Sequence, residues 1–366
     1  MKILCLVQDY TNPNGKVAMH YVHTRNLYYQ EHSIDVDVLS FSSEEDYVID
    51  NVKVYTEQSI LSKTIMSNYD LVISHAPNLR NHIRFLNENF EDINQIIFFF
   101  HGHEVLHKGS VYPKPYRFKN SIKLKLDGVL NDFYDRYKLR KWRNIISTYK
   151  SKANFIFVSN WMYRSFLEST KIDENIIKSK SHIIYNSIGR YFEENHYDKC
   201  GEKTFDFITI RNNLDGSKYA IDIVVSLAVH NPKYKFCLVG QGDFFNHFIK
   251  PDNLVWIDKN LSHDEVIYYL DKSRYALLPT RLDSQGVMAC EIATYGIPLI
   301  TSEIDVCQEI FDDFTNVGYI QNEEDVSVDL SKLMLELRPS SHKNNKFFKK
   351  QTVAKEVDLF KKIIKR

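Results

Sequence analysis

The chain is short of cysteine, glycine and proline, carries no excess charge of either sign, and has no long apolar run. Each shortage removes a class of protein. Five cysteines, Cys5, Cys200, Cys237, Cys290 and Cys307, occur in 366 residues, and none forms a C-x-x-C pair. An odd count without paired spacing argues against a disulfide framework or a zinc ribbon. Buried free thiols in a reducing compartment are expected instead. Twelve glycines and nine prolines leave no long flexible linker. Lysine plus arginine equals aspartate plus glutamate at 47 each, whereas a general nucleic-acid binder usually carries a positive excess. The apolar stretch from Ile3 ends at Gln8 and Asp9, too short for a signal peptide. Nothing approaches the roughly 18 apolar residues of a spanning helix. A cytoplasmic protein is expected.

What is present is a globular composition, 43% apolar and 26% charged, in a chain long enough for two cores. Short apolar runs recur at Ile3 to Val7, Ile34 to Phe41, Val52 to Tyr55, Leu71 to Ser74, Ile96 to Phe100, Phe155 to Ser159 and His182 to Tyr185. Helical patterns lie between them, beginning with Lys16 to Gln30. Strands apolar on both faces and alternating with helices predict a parallel sheet covered on both sides. The pattern restarts at Phe205 to Ile210 and runs through Lys235 to Val239, Leu254 to Ile257, Tyr275 to Pro279 and Pro298 to Thr301. Two α/β domains are therefore expected, 1–187 and 188–350. Their boundary falls in the polar stretch Asn186 to Lys203. A basic helical tail follows from Gln351 to Arg366.

Leu277 to Ile304 is the most informative stretch. A strand ends at Pro279, a loop carries Asp283, Ser284 and Gln285, and Gly286 opens a helix holding Val287 and Glu291. Backbone N–H groups at Gly286 to Met288 would stand free for an anion such as a diphosphate. The two carboxylates suit sugar and ribose hydroxyls. The plain alternative is a helix N-terminal acid and a solvated helix residue.

This order of strand, proline, acidic loop, glycine, helical glutamate and Gly-x-Pro resembles retaining glycosyltransferases of family 4, in the form found in bacterial polysaccharide assembly. Asp283 stands where that family has its first glutamate, and Glu291 matches the second. Other stretches agree. Ile208 to Asp222 resembles the family's strand, arginine, loop and lysine element, placing Arg211 and Lys218 on the donor diphosphate, with two extra residues between them. Ile184 to Gly189 resembles its hinge strand and brings in Asn186. Leu238 to Asp243 resembles its Val-Gly-x-Gly strand end and brings in Gly240. His101 to Glu104 resembles the first-domain histidine segment, and Gly15 matches the first glycine-rich turn loosely.

The resemblance implies the GT-B fold, two Rossmann-like doubly wound domains facing a central cleft, with the C-terminal helix 351–366 packed back on the first. It implies transfer with retention from a nucleotide-diphosphate sugar, UDP-linked by family frequency, to a lipid-linked surface glycan. Arg211 and Lys218 would hold the diphosphate, Asp283 and His101 the sugar, and Glu291 the ribose. Backbone donors would come from Gly286 and Val287. No metal or cofactor is implied, because two cations stabilise the leaving diphosphate. The donor's own phosphate oxygen would serve as base.

Competing patterns are weaker. Gly240-Gln241-Gly242 begins a dinucleotide fingerprint but has Phe245 where the third glycine belongs. His101, His103 and His107 have a spacing that fits a metal as well as hydrogen bonding. Asp35 and Asp37 read as strand-end or outward-facing acids. The segment 108–152, with Arg136, Lys138, Arg140, Lys141, Trp142 and Arg143, reads either as a solvated helix face or as a helix docking on an anionic membrane. Lys362, Lys365 and Arg366 would add to it. An epimerase or hydrolase on the same fold, and a non-catalytic partner subunit, remain the alternative functions.

Overall fold

The structure, a computed structural model, describes residues 1–15, 18–63, 66–119, 122–324 and 326–365. Lys16 and Arg366, the outer ends of two expected helices, lie outside them. The chain divides into two compact units. Unit 1 comprises Met1–Lys108, Asp132–Ser187 and Lys346–Arg366, and unit 2 comprises Gly109–Asn131 and Ile188–Asn345.

Unit 1 holds strands β1 (Lys2–Val7), β2 (Asp35–Ser40), β3 (Tyr47–Ile49), β4 (Val52–Tyr55), β5 (Leu71–His75), β6 (Ile96–Phe100), β7 (Ala153–Phe157) and β8 (Ser181–Ile183). They form one sheet in the order β3-β4-β2-β1-β5-β6-β7-β8, parallel except for the antiparallel edge pair β3–β4. The central strands β1, β5 and β6 are buried along nearly their whole length. That is why they read as continuous apolar runs rather than alternating ones. Helix α1 (His20–Glu31) begins four residues later than its pattern suggests, after Met19 in a left-handed conformation with φ 48°.

Unit 2 holds β9 (Phe205–Asn213), β10 (Phe236–Gln241), β11 (Leu254–Ile257), β12 (Ser273–Leu278), β13 (Leu299–Ser302) and β14 (Val317–Ile320). All pair in parallel, in the order β11-β10-β9-β12-β13-β14. The order doubles back between β9 and β12, and ligands of such sheets bind beyond the strand ends at that point.

Residues 109–131 were expected in the first domain but cluster with unit 2. The reason is aromatic packing. Tyr116 and Phe118 lie against the core formed by Phe207, Leu238 and Phe244, and Tyr116 donates to Asp222 Oδ1 at 2.9 Å. The long helix α2 (Ile122–Tyr149) thus begins in one unit and continues into the other.

The last helix, α3 (Val353–Ile364), belongs to unit 1. Its Glu356 is fully buried against Arg25 of α1, whose Nε donates to Glu356 Oε1 at 3.0 Å. Tyr29 bonds the second oxygen. Burial raises the Glu356 carboxyl above its usual range. No pattern in the sequence announces this pair, which is 331 residues apart.

Asp35 is exposed, but Asp37 is not the outward-facing acid expected. It is buried, accepting from Tyr69 Oη at 2.8 Å with Lys2 Nζ at 3.3 Å. Four cysteines are buried free thiols; Cys200 is exposed. Among the described residues no helix is long and apolar enough to cross a membrane.

Candidate functional site

In unit 2 the strand ends bring most of the expected residues together. Arg211 sits near the end of β9, buried to 9% exposure, at the place where the strand order doubles back. Its Nη2 donates to Pro279 O, just beyond β12, at 2.9 Å. Its Nε is buried without a hydrogen-bond partner. Burial lowers the guanidinium's pKa and nearby Asp283 opposes that, but arginine stays charged in proteins. Lys218 lies on the short turn Ser217–Tyr219 before the next helix. Its Nζ is 4.6 Å from the centroid of the Tyr219 ring, and the Arg211 guanidinium is 5.1 Å from the same centroid. Neither cation forms an ion pair among the described residues. Two cations lie on one aromatic ring, one of them with a spare buried donor, and such an arrangement can take an anion.

The loop after β12 is built around Asp283. Its Oδ1 accepts from the backbone N–H of Ser284 at 2.8 Å, Gln285 at 3.3 Å and Gly286 at 2.9 Å. The expectation that the Gly286 N–H stands free for an anion is therefore corrected. Asp283 occupies it, because a loop aspartate accepts from the backbone N–H groups of the residues that follow it, here the three ahead of the helix; the helix itself, from Val287 on, has no side-chain cap. Gly286 has φ 73°, in the left-handed region, and a side chain there would lie 3.2 Å from Asp283 Oδ2. Ser284 is partly exposed, while Gln285 is buried beside Cys290. Val287 opens the helix Val287–Tyr295 with its side chain half-buried.

Glu291, in the middle of that helix, is 8% exposed. Its Oε1 accepts from the Gly189 N–H at 3.0 Å. Burial pushes the carboxyl up to about 7, a shift the Gly189 bond partly offsets. A Cβ at Gly189 would stand 3.2 Å from Glu291 Oε1, close enough that the carboxylate would have to give way by a few tenths of an ångström. Gly189 and Tyr219 are the residues the sequence reading missed. Tyr219 had a signal, an aromatic beside a nominated lysine. Gly189 ends the stretch already matched to the hinge.

Gly240 has a structural duty. At φ 144° it lets β10 pass so close to β9 that a Cβ would meet Arg211 O at 2.0 Å. Trp256 Nε1 donates to its carbonyl at 2.8 Å. It shapes the strand end carrying Arg211.

The expected residues of unit 1 do not converge in the same way. His101 follows β6 and stacks on Phe99 with centroids 4.7 Å apart, with Tyr21 at 4.6 Å. His75 Nδ1 lies 3.3 Å from His101 Nε2. Burial, then His75 and Arg25, hold the His101 imidazole well below its usual range, so at pH 7 it is neutral. Asn186 Oδ1 accepts from Arg25 Nη2 at 2.9 Å, beside Glu356. Gly15 lies in an exposed turn with φ 88°, its N–H on Asn12 O at 3.3 Å. His107 pairs with Asp132 at 3.0 Å, and His103 is exposed. Among the described residues no group of three histidine, cysteine or acidic side chains is placed to hold a metal.

The basic stretch is only partly at the surface. Arg136, Arg140, Lys141 and Arg143 face water. Lys138 is buried on Asp135 at 2.7 Å, and Trp142 is core, so neither belongs to a surface patch. Phe133, Tyr134 and Tyr137 are exposed beside those cations.

No family model matches the chain. It is 24% identical over 206 residues to an uncharacterized 41.2 kDa protein of the cps region of Klebsiella pneumoniae, covering 51% of this chain and 54% of that one. It is 26% identical over 194 residues to an uncharacterized glycosyltransferase of Methanocaldococcus jannaschii, covering 50% and 52%. The chain spans about half the length of these curated relatives. Solved structures match throughout. A sucrose-phosphate synthase from Thermosynechococcus elongatus superposes with TM-score 0.67 at 11% identity, over 99% of this chain and 98% of that one. A glycosyltransferase from Rickettsia africae gives 0.66 at 15%, over 100% and 99%. The fold, two α/β units with parallel sheets, is that of GT-B glycosyltransferases.

Proposed function

We propose that this chain is a retaining glycosyltransferase that moves a sugar from a nucleotide-diphosphate sugar, UDP-linked by expectation, to a lipid-linked surface-glycan acceptor. The observation that carries the reading is the buried Arg211 guanidinium. It has an unpartnered Nε, shares the Tyr219 ring with Lys218, and sits where the strand order of unit 2 doubles back. A buried cation with a spare donor is costly unless a ligand completes it. A diphosphate is the anion that two such cations fit, and stabilising it as it leaves is the work a metal does elsewhere. Glu291 would then take the ribose hydroxyls through its second oxygen, and Asp283 Oδ2 the donor sugar. Ser284, Gln285 and Val287 would frame them. The likeness to a cps-region protein and to a glycosyltransferase supports a surface polysaccharide as the product's setting.

The same reading places the chain at the inner membrane face, through the exposed cations and aromatics of residues 133–143. Reversing Arg136, Arg140 and Arg143 should release it from anionic vesicles; unchanged sedimentation with those vesicles would sink that placement.

A non-catalytic partner subunit is the second reading, favoured by one observation: Asp283 Oδ1 is already saturated by backbone donors. A thermal-shift panel of UDP, GDP, ADP, dTDP and NAD in EDTA tests the donor site. A ligand at 100 times its Kd adds about 2.7 kcal/mol, several degrees for a domain of this size. One nucleoside diphosphate should shift the wild type, and should shift Arg211→Met by no more than about half as much, since tenfold weaker binding leaves about 1.4 kcal/mol. A shift by NAD alone would contradict the donor site.

A further inference from the structure

Unit 1 is doubly wound too, and its strand order turns back at β1, between β2 and β5. Beyond the strand ends at that point lies a cavity of about 480 Å³. Gln8 and Asp9 follow β1 there, residues 76–78 follow β5, and Glu104 stands in the loop after β6, with Tyr134 and Trp142 of α2 closing the side.

Glu104 is the unusual member. It is 4% exposed. Its Oε1 accepts from the backbone N–H of Gly102 at 2.9 Å and from that of His101. Its Oε2 is buried and has no hydrogen-bond partner, and His103 Nδ1 at 3.8 Å is beyond hydrogen-bond reach. Lys138, the buried cation nearby, is committed elsewhere. It donates to His103 O at 2.9 Å, Leu106 O at 3.1 Å and Asp135 Oδ1 at 2.7 Å, which fixes the loop carrying Glu104. A buried carboxylate oxygen in a cavity wall with no donor calls for one from a ligand, and a sugar hydroxyl supplies it.

A second cavity, about 470 Å³, shares Leu79 with the first. It runs between α2 and the helical segment that starts at Leu79, with Ile83 and Ile145 in its walls. Lys141 lines it, with Nζ 5.4 Å from the Tyr137 ring centroid and no ion pair among the described residues. One compartment therefore offers a hydrogen-bond acceptor and aromatic walls, and its neighbour offers Lys141 and the aliphatic side chains of Ile83 and Ile145 among polar walls that include Asn87, Glu88 and Thr148.

We propose that the two cavities form one site for an amphiphilic acceptor. A saccharide hydroxyl donates to Glu104 Oε2, the phosphate linking sugar to lipid lies near Lys141, and the hydrocarbon chain follows Ile83 and Ile145. This rests on the reading of the chain as a transferase to a lipid-linked glycan, and it assigns that acceptor its residues.

The test is calorimetric titration of the full chain with undecyl-diphospho-N-acetylglucosamine, undecyl diphosphate and N-acetylglucosamine, each below any micelle-forming concentration. The whole amphiphile should bind at least about tenfold tighter than either half. Glu104→Gln keeps an oxygen for the two backbone donors and replaces Oε2 with an amide. It should weaken the whole amphiphile about tenfold and leave undecyl diphosphate unchanged. Lys141→Glu, at an exposed position, should weaken both about tenfold. Equal binding of the whole amphiphile by wild type and Glu104→Gln, or no binding by wild type, overturns the proposal. Nucleoside diphosphate titration of the same variants separates the two readings. If the diphosphate binds and the amphiphile does not, this inference falls and the donor site stands; the reverse result removes the donor site alone.

Discussion

Glu291 carries the clearest conflict between stability and use. Its carboxyl is held up to about 7 by burial, against an ordinary 4.5. The native state therefore binds a proton between those values that the unfolded chain has released, so stability falls as pH rises through that window. The deficit is absent below pH 4.5 and complete above pH 7, and amounts to about 3 kcal/mol. Glu291→Gln keeps an acceptor for the Gly189 N–H and removes the charge. It should melt several degrees higher than wild type at pH 8 and equally at pH 5. A melting difference that does not change with pH would show that Glu291 is not a strained buried carboxylate. Arg211 is the cationic counterpart. Arg211→Met should weaken nucleoside diphosphate binding at least ~10-fold, the worth of one hydrogen bond to a charged group. Equal affinity in wild type and variant would remove Arg211 from the site.

The strand ends and the closing helix depend on contacts that sequence periodicity does not record. Gly240 is legible as a glycine in a Val-Gly-x-Gly stretch, but its reason is the approach of β10 to the Arg211 carbonyl. Gly240→Ala places a Cβ into that carbonyl at φ 144° and should cost about 3 kcal/mol or more, read as a lower denaturation midpoint. A midpoint within error of wild type would contradict the packing described. The contact of α3 with α1 makes a different forecast. Removing one partner of the buried Arg25–Glu356 pair, as in Glu356→Ala, should cost about 3–5 kcal/mol because an uncompensated charge remains. Arg25→Met with Glu356→Leu should recover much of that. If the double variant is as unstable as the single, the pair is not what sets the cost.

At the scale of the molecule, two parallel sheets were legible because β1, β5, β6 and β10 are buried along nearly their whole length and read as apolar runs, while β9 and β12 keep shorter buried stretches at residues 207–211 and 276–278. Elements with weak or mixed patterns escaped: the edge strand Tyr47–Ile49, the strand Val317–Ile320, and the attachment of residues 109–131 to unit 2. The attachment depends on Tyr116 and Phe118, whose burial partners lie about a hundred residues on. In the candidate site, Arg211, Lys218, Asp283 and Glu291 were legible because a strand-end cation, a loop acid and a helical acid keep a recognisable order. What those groups touch was not. Asp283 holds its own loop, Asn186 holds Arg25, and the Tyr219 ring gathers the cations, since partner choice is settled by packing.

The central claim is that the chain releases a nucleoside diphosphate by handing its sugar to an acceptor. The most direct measurement is diphosphate release from UDP-, GDP-, ADP- and dTDP-sugars in EDTA, with and without a lipid-linked glycan extract from a polysaccharide-producing bacterium. One donor should be consumed much faster with the extract than without it, and Arg211→Met should abolish the difference. Bound nucleotide with no acceptor-stimulated release from any donor would contradict the account and leave a binding subunit in its place.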